Sequence, residues 1–502
     1  MEILDHLFQG FQVGLQLTNL FFCLVGVLLG TLIGVLPGIG PAAAIALLLP
    51  ATFKLAATPA IIMLAGIYYG AMYGGSTTSI LVNIPGEASS VVTSLDGYQM
   101  ALKGKAGPAL GIAAIGSFIA GTAGIVGLMF ASTYIAELAL KFGPPEYFSI
   151  MLMGLTIITY LARGSLIKAL IMGLLGLFLS QIGLDNVNAK FRFTLGIMRL
   201  SDGIDLIAMV MGLFGISEVL LNLEQKVKTE IIRTKIKDLF PDRNEWRRSL
   251  GAISRGTILG FFLGIIPGGG TIIASFASYG LEKKVSKHPE KFGTGVIEGV
   301  AGPEAANNAA TAGAFVPLFT LGIPSNIVTA LLFGALLIHG IQPSPLLISE
   351  HPELFWGVVA SMYIGNIMLL IFNLPMVWVW VQVLRVPYKI LFPLILLFCL
   401  IGAYSINNSY FDILMMLFFG VLGYLFRKLE YEPAPLILAF ILGRLIEKTF
   451  RQSMSMSDGS FAIFWERPIA AFCITATVVI FIASLAMYYL KKRKPSLLGS
   501  DL

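Results

Sequence analysis

Two stretches of this chain carry the same glycine ladder. Gly26, Gly30, Gly34 and Gly38 recur at every fourth position, with Pro37 before the last and Gly40 beyond it. Gly256, Gly260, Gly264, Gly268, Pro267 and Gly270 repeat the pattern at a constant offset of 230. Glycine is common here, 54 of 502 residues, so single matches carry no weight, but five glycines and a proline in one register mark an internal duplication. Spacing by four puts small residues on one helix face, where another backbone can come close. The proline and later glycines end that helix, because Pro lacks a donor and clashes with the preceding turn while Gly tolerates dihedrals a helix excludes. Each ladder thus predicts a close-packed helix running into a non-helical break, over 36–41 in the first copy and 266–271 in the second.

The surroundings of the breaks place them. Hydrophobic residues make up 56% of the chain and charged residues 12%, with a mean hydropathy of +0.84, whereas soluble domains carry about a quarter charged residues. Uncharged apolar stretches long enough to cross about 30 Å of hydrocarbon recur, the cleanest over 468–490. Apolar runs predict helices near 11–36, 41–53, 58–73, 107–140, 144–162, 164–183 and 204–222. After a charged stretch a second series follows near 251–266, 271–281, 309–322, 326–341, 353–384, 388–406, 411–426, 433–446 and 468–490. The expected fold is an all-α polytopic integral membrane protein of about 10–14 hydrophobic segments. Its first membrane repeat covers 1–223, a charged cytoplasmic loop 224–250, the second repeat 251–430, and C-terminal helices with a basic cytoplasmic tail 431–502. Some segments are too short to span: about twelve residues rise about 18 Å. Such pieces must be broken, paired or re-entrant.

The formal charge of +6 comes from basic residues in short inter-helix segments, a positive-inside pattern rather than a nucleic-acid face. The runs from Lys226 to Arg255 and from Lys491 to Lys494 read as cytoplasmic. The second broken segment is flanked by the first of these and by Lys283, Lys284, Lys287 and Lys291, so both its ends should face the cytoplasm. The first is preceded by Glu2 and Asp5 and followed only by Lys54, so its ends should face the periplasm. Two inverted repeats, each with a Gly/Pro-broken re-entrant helical hairpin, would bring both tips to the midplane. With no Lys or Arg before Lys54, a cleaved signal peptide is not expected.

Broken helices at membrane depth leave backbone groups that only protein or a watery cavity can satisfy. Restarting helices present free N–H groups and a positive dipole end, which suit an anion, and matching breaks in two repeats point to a transporter site. Candidate binding residues are therefore Pro37, Gly38, Gly40, Pro267, Gly268, Gly269, Gly270 and Thr271. A second correspondence, Ile84-Pro85 with Ile323-Pro324 at offset 239, needs nine extra residues, expected between Glu282 and Lys291. It adds Ser76, Thr77, Thr78, Asn83, Pro85 and Gly86 from one half, and Asn307, Asn308, Pro324, Ser325 and Asn326 from the other. Neutral donors can hold a carboxylate without burying a protein charge; interhelical hydrogen bonding, at about 1 kcal/mol each, is their competing role. Glu87 and Glu304 lie beside these segments, where a carboxylate serves either a proton or sodium ion or a loop mouth. No phosphate loop, His-Glu-x-x-His or Cys-x-x-Cys occurs, and Cys23, Cys399 and Cys473 sit in apolar segments. No catalytic residue, metal site or cofactor is expected; energy must come from an ion gradient or another subunit.

In Gly34–Pro41, Tyr73–Glu87, Gly264–Thr271, Glu304–Ala310 and Leu321–Ser325 the chain resembles the large membrane subunit of the tripartite tricarboxylate transporter family, the TctA type. The resemblance runs from about residue 10 to about 430. It implies a secondary transporter of the bacterial inner membrane, with a cytoplasmic C-terminus. It further implies a periplasmic solute-binding protein (TctC type), a small four-helix membrane subunit (TctB type), di- or tricarboxylate substrates and Na+ or H+ symport. A carrier or channel that works without a binding protein is the alternative.

Overall fold

The computed structural model describes residues 2–36, 40–161, 165–185, 188–224, 239–268, 270–384 and 388–493. The chain divides into two units, Met1–Leu140 with Asp205–Tyr424, and Lys141–Ile204 with Leu425–Leu502. In chain order the first elements are α1 (Glu2–Gly14), α2 (Leu17–Val35), α3 (Gly40–Leu48), α4 (Ala57–Val82), α5 (Val91–Leu102) and α6 (Ala106–Ala139). They are followed by α7 (Pro144–Leu161), α8 (Leu166–Ser180), a hairpin of β1 (Gly183–Asp185) and β2 (Lys190–Arg192), α9 (Leu206–Val210) and α10 (Ser217–Glu224). The second series comprises α11 (Arg243–Ile265), α12 (Gly270–Val285), α13 (Glu298–Gly313), α14 (Phe315–Leu321), α15 (Ile327–Ile338), α16 (Leu347–Glu350) and α17 (Pro352–Asn373). Closing the chain are α18 (Val377–Val383), α19 (Tyr388–Asn407), α20 (Tyr410–Lys428), α21 (Ala434–Met456), α22 (Ile463–Glu466) and α23 (Pro468–Arg493).

Several elements differ from the apolar runs, each for a local reason. The run near 11–36 is two helices, because the chain turns at Leu15 and Gln16, where the Asn19 amide donates to the Val13 carbonyl at 2.8 Å. The run near 353–384 stops at Asn373, two residues before Pro375. Helix α13 begins eleven residues before the predicted 309, since its polar Glu304, Asn307 and Asn308 are buried rather than looped. Among the described residues five helical stretches are long and apolar enough to cross a membrane: Leu17–Val35, Ala106–Ala139, Leu206–Glu224, Pro352–Asn373 and Tyr410–Lys428. Shorter apolar helices accompany them. On α11, Ile258 and Phe262 are exposed, as are Leu414, Phe418 and Val421 on α20, a surface suited to lipid rather than water.

The two sequence offsets turn out to be one packing unit. A Cβ on Gly26, Gly30 or Gly34 of α2 would run into the backbone of Met63, Ile67 or Ala71 on α4. A Cβ on Gly256, Gly260 or Gly264 of α11 would run into Gly302, Ala306 or Ala310 on α13. The ladder positions differ by 230 and their partners by 239, so the helix carrying one register packs on the helix carrying the other. Contacts rise together along both members of each pair, so α2 runs parallel to α4 and α11 to α13. The chain between them must double back, which α3 and α12 do. Helix α12 is 16 residues to the 9 of α3, and together with the loop before α13 it absorbs the extra length.

Helices α4 and α13 form the core of this unit. Every residue from Pro59 to Val82 and from Gly299 to Gly313 is buried, and helices apolar or small all round belong inside. They cross in opposite senses: Ser76 of α4 meets Glu304, whereas Tyr68, two turns earlier, meets Phe315 and Asn326. Packing beyond them is reciprocal, α13 lying on α5 and α6 of the first half and α4 on α15 and α17 of the second.

The second unit packs α21 on α7 and α8, and α23 on α7. Glu146, buried, pairs with Arg467 at 2.8 Å. Its hairpin is tied to α21 by a closed ring in which Arg192 and Arg451 each pair with both Asp185 and Glu447. That ring explains why α21 continues past the predicted end at 446. Hydrogen bonding to Glu447 and then Asp185 raises the Arg192 guanidinium still further above its ordinary value. The ring borders a cleft of about 580 Å³ that also includes Arg444 and Lys448.

Candidate functional site

Each half brings its two breaks together. In the second, α11 ends at Ile266 in extended geometry, Gly268 has φ 81° and Gly270 φ 51°. The Gly268 N–H donates to the Ser325 carbonyl at 2.8 Å, which docks the Pro-Gly break onto the extended Ile323-Pro324-Ser325 segment. In the first, α2 ends at an extended Leu36 and the chain re-enters a helix at Gly40, φ 62°. There the Thr78 hydroxyl donates to the Val35 carbonyl at 2.7 Å, meeting one of the carbonyls a helix end leaves free. Gly86 packs so closely on the Gly34 carbonyl and the Gly75 Cα that no Cβ fits. Pro37, Gly38 and Gly269 lie outside the described residues.

The breaks after α4 and α14 are built alike. Asn83 (φ 58°) and Gly322 (φ 64°) end their helices in the left-handed region, the conformation that turns a chain out of a helix; at Gly322 the N–H groups of Gly322 and Ile323 close the cap on the Pro317 carbonyl. Four residues later Glu87 and Asn326 each cap the next turn, through reciprocal bonds with Ser90 and Thr329. All three pairs stand 239 apart, the offset read from Ile-Pro alone.

Polar side chains beside the breaks join the two halves rather than face open space. Glu304 accepts from the Ser76 hydroxyl at 2.6 Å and from the Thr93 hydroxyl. Ser89 Oγ contacts Glu87 Oε2 at 2.5 Å and Asn307 Oδ1 at 2.8 Å. The Asn326 amide donates to the Tyr68 hydroxyl at 2.9 Å, and the Asn308 amide to the Ser117 hydroxyl at 2.7 Å. Tyr73 donates to Asn366 at 2.5 Å. Both carboxylates are buried, Glu304 1% and Glu87 8% exposed, and the ion pairs among the described residues join other groups. Among the described residues hydroxyl hydrogens alone face the Glu304 carboxyl group, an arrangement costly for a permanent charge.

Sequence reasoning found the breaks and most polar groups, yet the structure sorts them. Ser76, Asn307 and Asn326 bridge the halves. Thr77 is buried inside α4, Thr78 seals α2, Asn308 points at α6, and Asn83 is exposed at a helix end. Pro85, Pro267, Gly270, Thr271 and Pro324 shape the breaks. Tyr68, Ser89, Thr93, Ser117 and Asn366 were missed. The signal for Tyr68 was present, since it stands 239 before Asn307. Between α4 and α6 of the first half, with Asn373 of the second beside them, lies a cavity of about 10 Å³ lined by Tyr73, Ser76, Thr77 and Ser117, room for about one water and far too small for an organic acid.

A model of the tripartite tricarboxylate transporter TctA family matches residues 20–438. The chain is 48% identical over 501 residues to the "Uncharacterized 52.8 kDa protein in TAR-I ttuC' 3'region" of Agrobacterium vitis, covering all of both chains. It is also 48% identical over 242 residues to the "Uncharacterized protein in TAR-II ttuC' 3'region" of the same organism, 48% of this chain and all of that one. No solved structure matches.

Proposed function

The chain belongs to the tripartite tricarboxylate transporter TctA family, a transporter and not an enzyme family, and from that premise we propose that it is the large permease subunit of a binding-protein-dependent carrier for di- or tricarboxylates. The observation that carries this reading is the doubled break. In each half the end of the ladder helix lies against the segment that carries the Ile-Pro pair, through Thr78 on Val35 in the first and Gly268 on Ser325 in the second, beside the cluster of hydroxyl, amide and carboxyl groups that joins the halves. Broken helices at matched positions of two repeats are where transporters hold substrate. The N-terminal turns after Gly40 and Gly270, with Ser76, Ser325 and Asn326 beside them, would offer hydrogens to carboxylate oxygens.

The opposed directions of α4 and α13 support an inverted arrangement of the repeats, with the first hairpin entering from the periplasm and the second from the cytoplasm of a bacterial inner membrane. The small cavity supports a closed state, so substrate enters only when the halves part. Uptake is driven by a cation gradient through the buried carboxylates Glu87 and Glu304. A small membrane subunit and a periplasmic binding protein complete the system. The test is uptake of labelled citrate and smaller dicarboxylates into proteoliposomes containing this chain and the small subunit. Uptake that requires the binding protein is expected; equal uptake without it would overturn the tripartite reading.

A further inference from the structure

The duplication supplies its own control for one pair of side chains. At the 239 offset Glu87 corresponds to Asn326, and Tyr68 to Asn307. In one pair, Asn326 Nδ2 donates to the Tyr68 hydroxyl at 2.9 Å while its Oδ1 accepts the Thr329 N–H at 3.0 Å. Every polar atom of that amide has a protein partner. The other pair falls short of hydrogens. Ser89 Oγ stands within bonding distance of both Glu87 Oε2 and Asn307 Oδ1, and a serine hydroxyl has one hydrogen to give.

Turning the Asn307 amide over resolves the conflict, an assignment that the hydrogen-bond network decides. Asn307 Nδ2 then donates to Ser89 Oγ, which donates to Glu87 Oε2. The Ser89 N–H also reaches Oε2, at 2.6 Å. What remains is Glu87 Oε1, which no hydrogen of the described residues reaches, and the amide oxygen of Asn307, now in the place whose atom likewise has no partner among them. Both side chains are more than nine-tenths buried, at 8% and 1% exposed. A buried carboxylate with a bare oxygen and no basic partner among the described residues lacks a positive charge. Carboxylate, amide and hydroxyl oxygens are hard ligands, suited to a hard cation and not to a transition metal.

We propose that Glu87, Ser89 and Asn307 bind one sodium ion, and that the pair Asn326–Tyr68 is the same position closed by protein hydrogens in the other half. The site rests on the cation-driven reading for its purpose but not for its existence. The site would tie the break after α4 to α13 of the opposite half, so that ion binding and the packing of the halves are coupled.

The experiment is equilibrium binding of radioactive sodium to the purified full-length chain in detergent at neutral pH. Saturable binding is expected, displaced by unlabelled sodium and not by potassium. Glu87→Gln and Asn307→Leu should weaken it by at least about tenfold, the scale of losing a ligand or its support. Asn307→Asp keeps the oxygen and should keep the binding, which separates ligand loss from misfolding. Absent binding to the unaltered chain, or undiminished binding to Glu87→Gln, would overturn the proposal. Carboxylate uptake without sodium binding would overturn this site alone; sodium binding without uptake would leave the site and remove the transport reading.

Discussion

Replacing Gly260 by alanine tests the packing unit on which both halves are built. A Cβ there would stand 2.6 Å from the Ala306 Cα and 2.8 Å from its carbonyl carbon, where ordinary contact begins at 3.4 Å. The Ala306 carbonyl oxygen lies closer still, so helix α11 must withdraw from α13 by about 1 Å, and no rotamer can relieve a clash between backbones; overpacking of this kind costs about 1–3 kcal/mol. Alanine is intrinsically better in a helix than glycine by about 0.5–1 kcal/mol, which leaves a net loss of about 1–2 kcal/mol. Gly280 on α12 is the control, because a Cβ there meets nothing within 4 Å. Gly280→Ala should therefore gain about 0.5–1 kcal/mol. The two variants should differ by about 2 kcal/mol, a factor of about thirty in the unfolding equilibrium constant. Reversible unfolding in mixed micelles of increasing denaturing detergent measures it. The repeat makes a further demand: Gly30→Ala, pressed on Ile67 as Gly260 is on Ala306, should lose a similar amount. Equal stability of the Gly260 and Gly280 variants, or a stabilised Gly260→Ala, would refute the reasoning.

Asp96 on α5 accepts the N–H groups of Gly293, Gly295 and Val296 and the Tyr279 hydroxyl, at 2.7–3.0 Å. Asp96→Asn places a donor against donors there and should cost about 1–3 kcal/mol, read as a lowered thermal midpoint in detergent. Asp185→Ala opens the four-membered ring and leaves Glu447 as the one carboxylate, among the described residues, paired with Arg192 and Arg451. Because the Asp185 carboxylate is nearly buried, a loss of about 1–3 kcal/mol should persist at high salt, whereas a loss that salt abolishes would make the ring a surface feature. Asp5→Cys and Lys54→Cys should react with a membrane-impermeant thiol reagent applied to spheroplasts, in a background without native cysteines. Lys284→Cys and Lys492→Cys should be protected; labelling at 284 would remove the inverted arrangement.

The duplication was legible because its causes are local: a glycine every fourth residue and a Pro-Gly stop need no knowledge of distant contacts. Two separate offsets were legible for the same reason, but only coordinates show that one belongs to a helix and the other to its partner. The pairing of 141–204 with 425–502 was not legible. It depends on the contacts of Asp185 and Arg192 with Glu447 and Arg451, which apolar runs do not encode. Helix α13 was truncated in the reading because Gly299, Pro303, Glu304 and Asn307 look like loop residues to hydropathy. Their burial against α6 and α11 overrides that preference, and Pro303 sits within the helix regardless. Ser89 and Thr93 escaped notice since a lone hydroxyl gains meaning only from the carboxylate it meets.

The central claim is that a carboxylate binds between the two broken segments, touched from both halves. Ser76→Cys and Ser325→Cys place one thiol in each half beside the breaks. The measurement is their rate of alkylation in membranes, with and without saturating amounts of the carboxylate that supports uptake. Substrate should slow alkylation at both positions by several-fold. Rates unchanged at both positions, in proteins that still transport, would contradict the account.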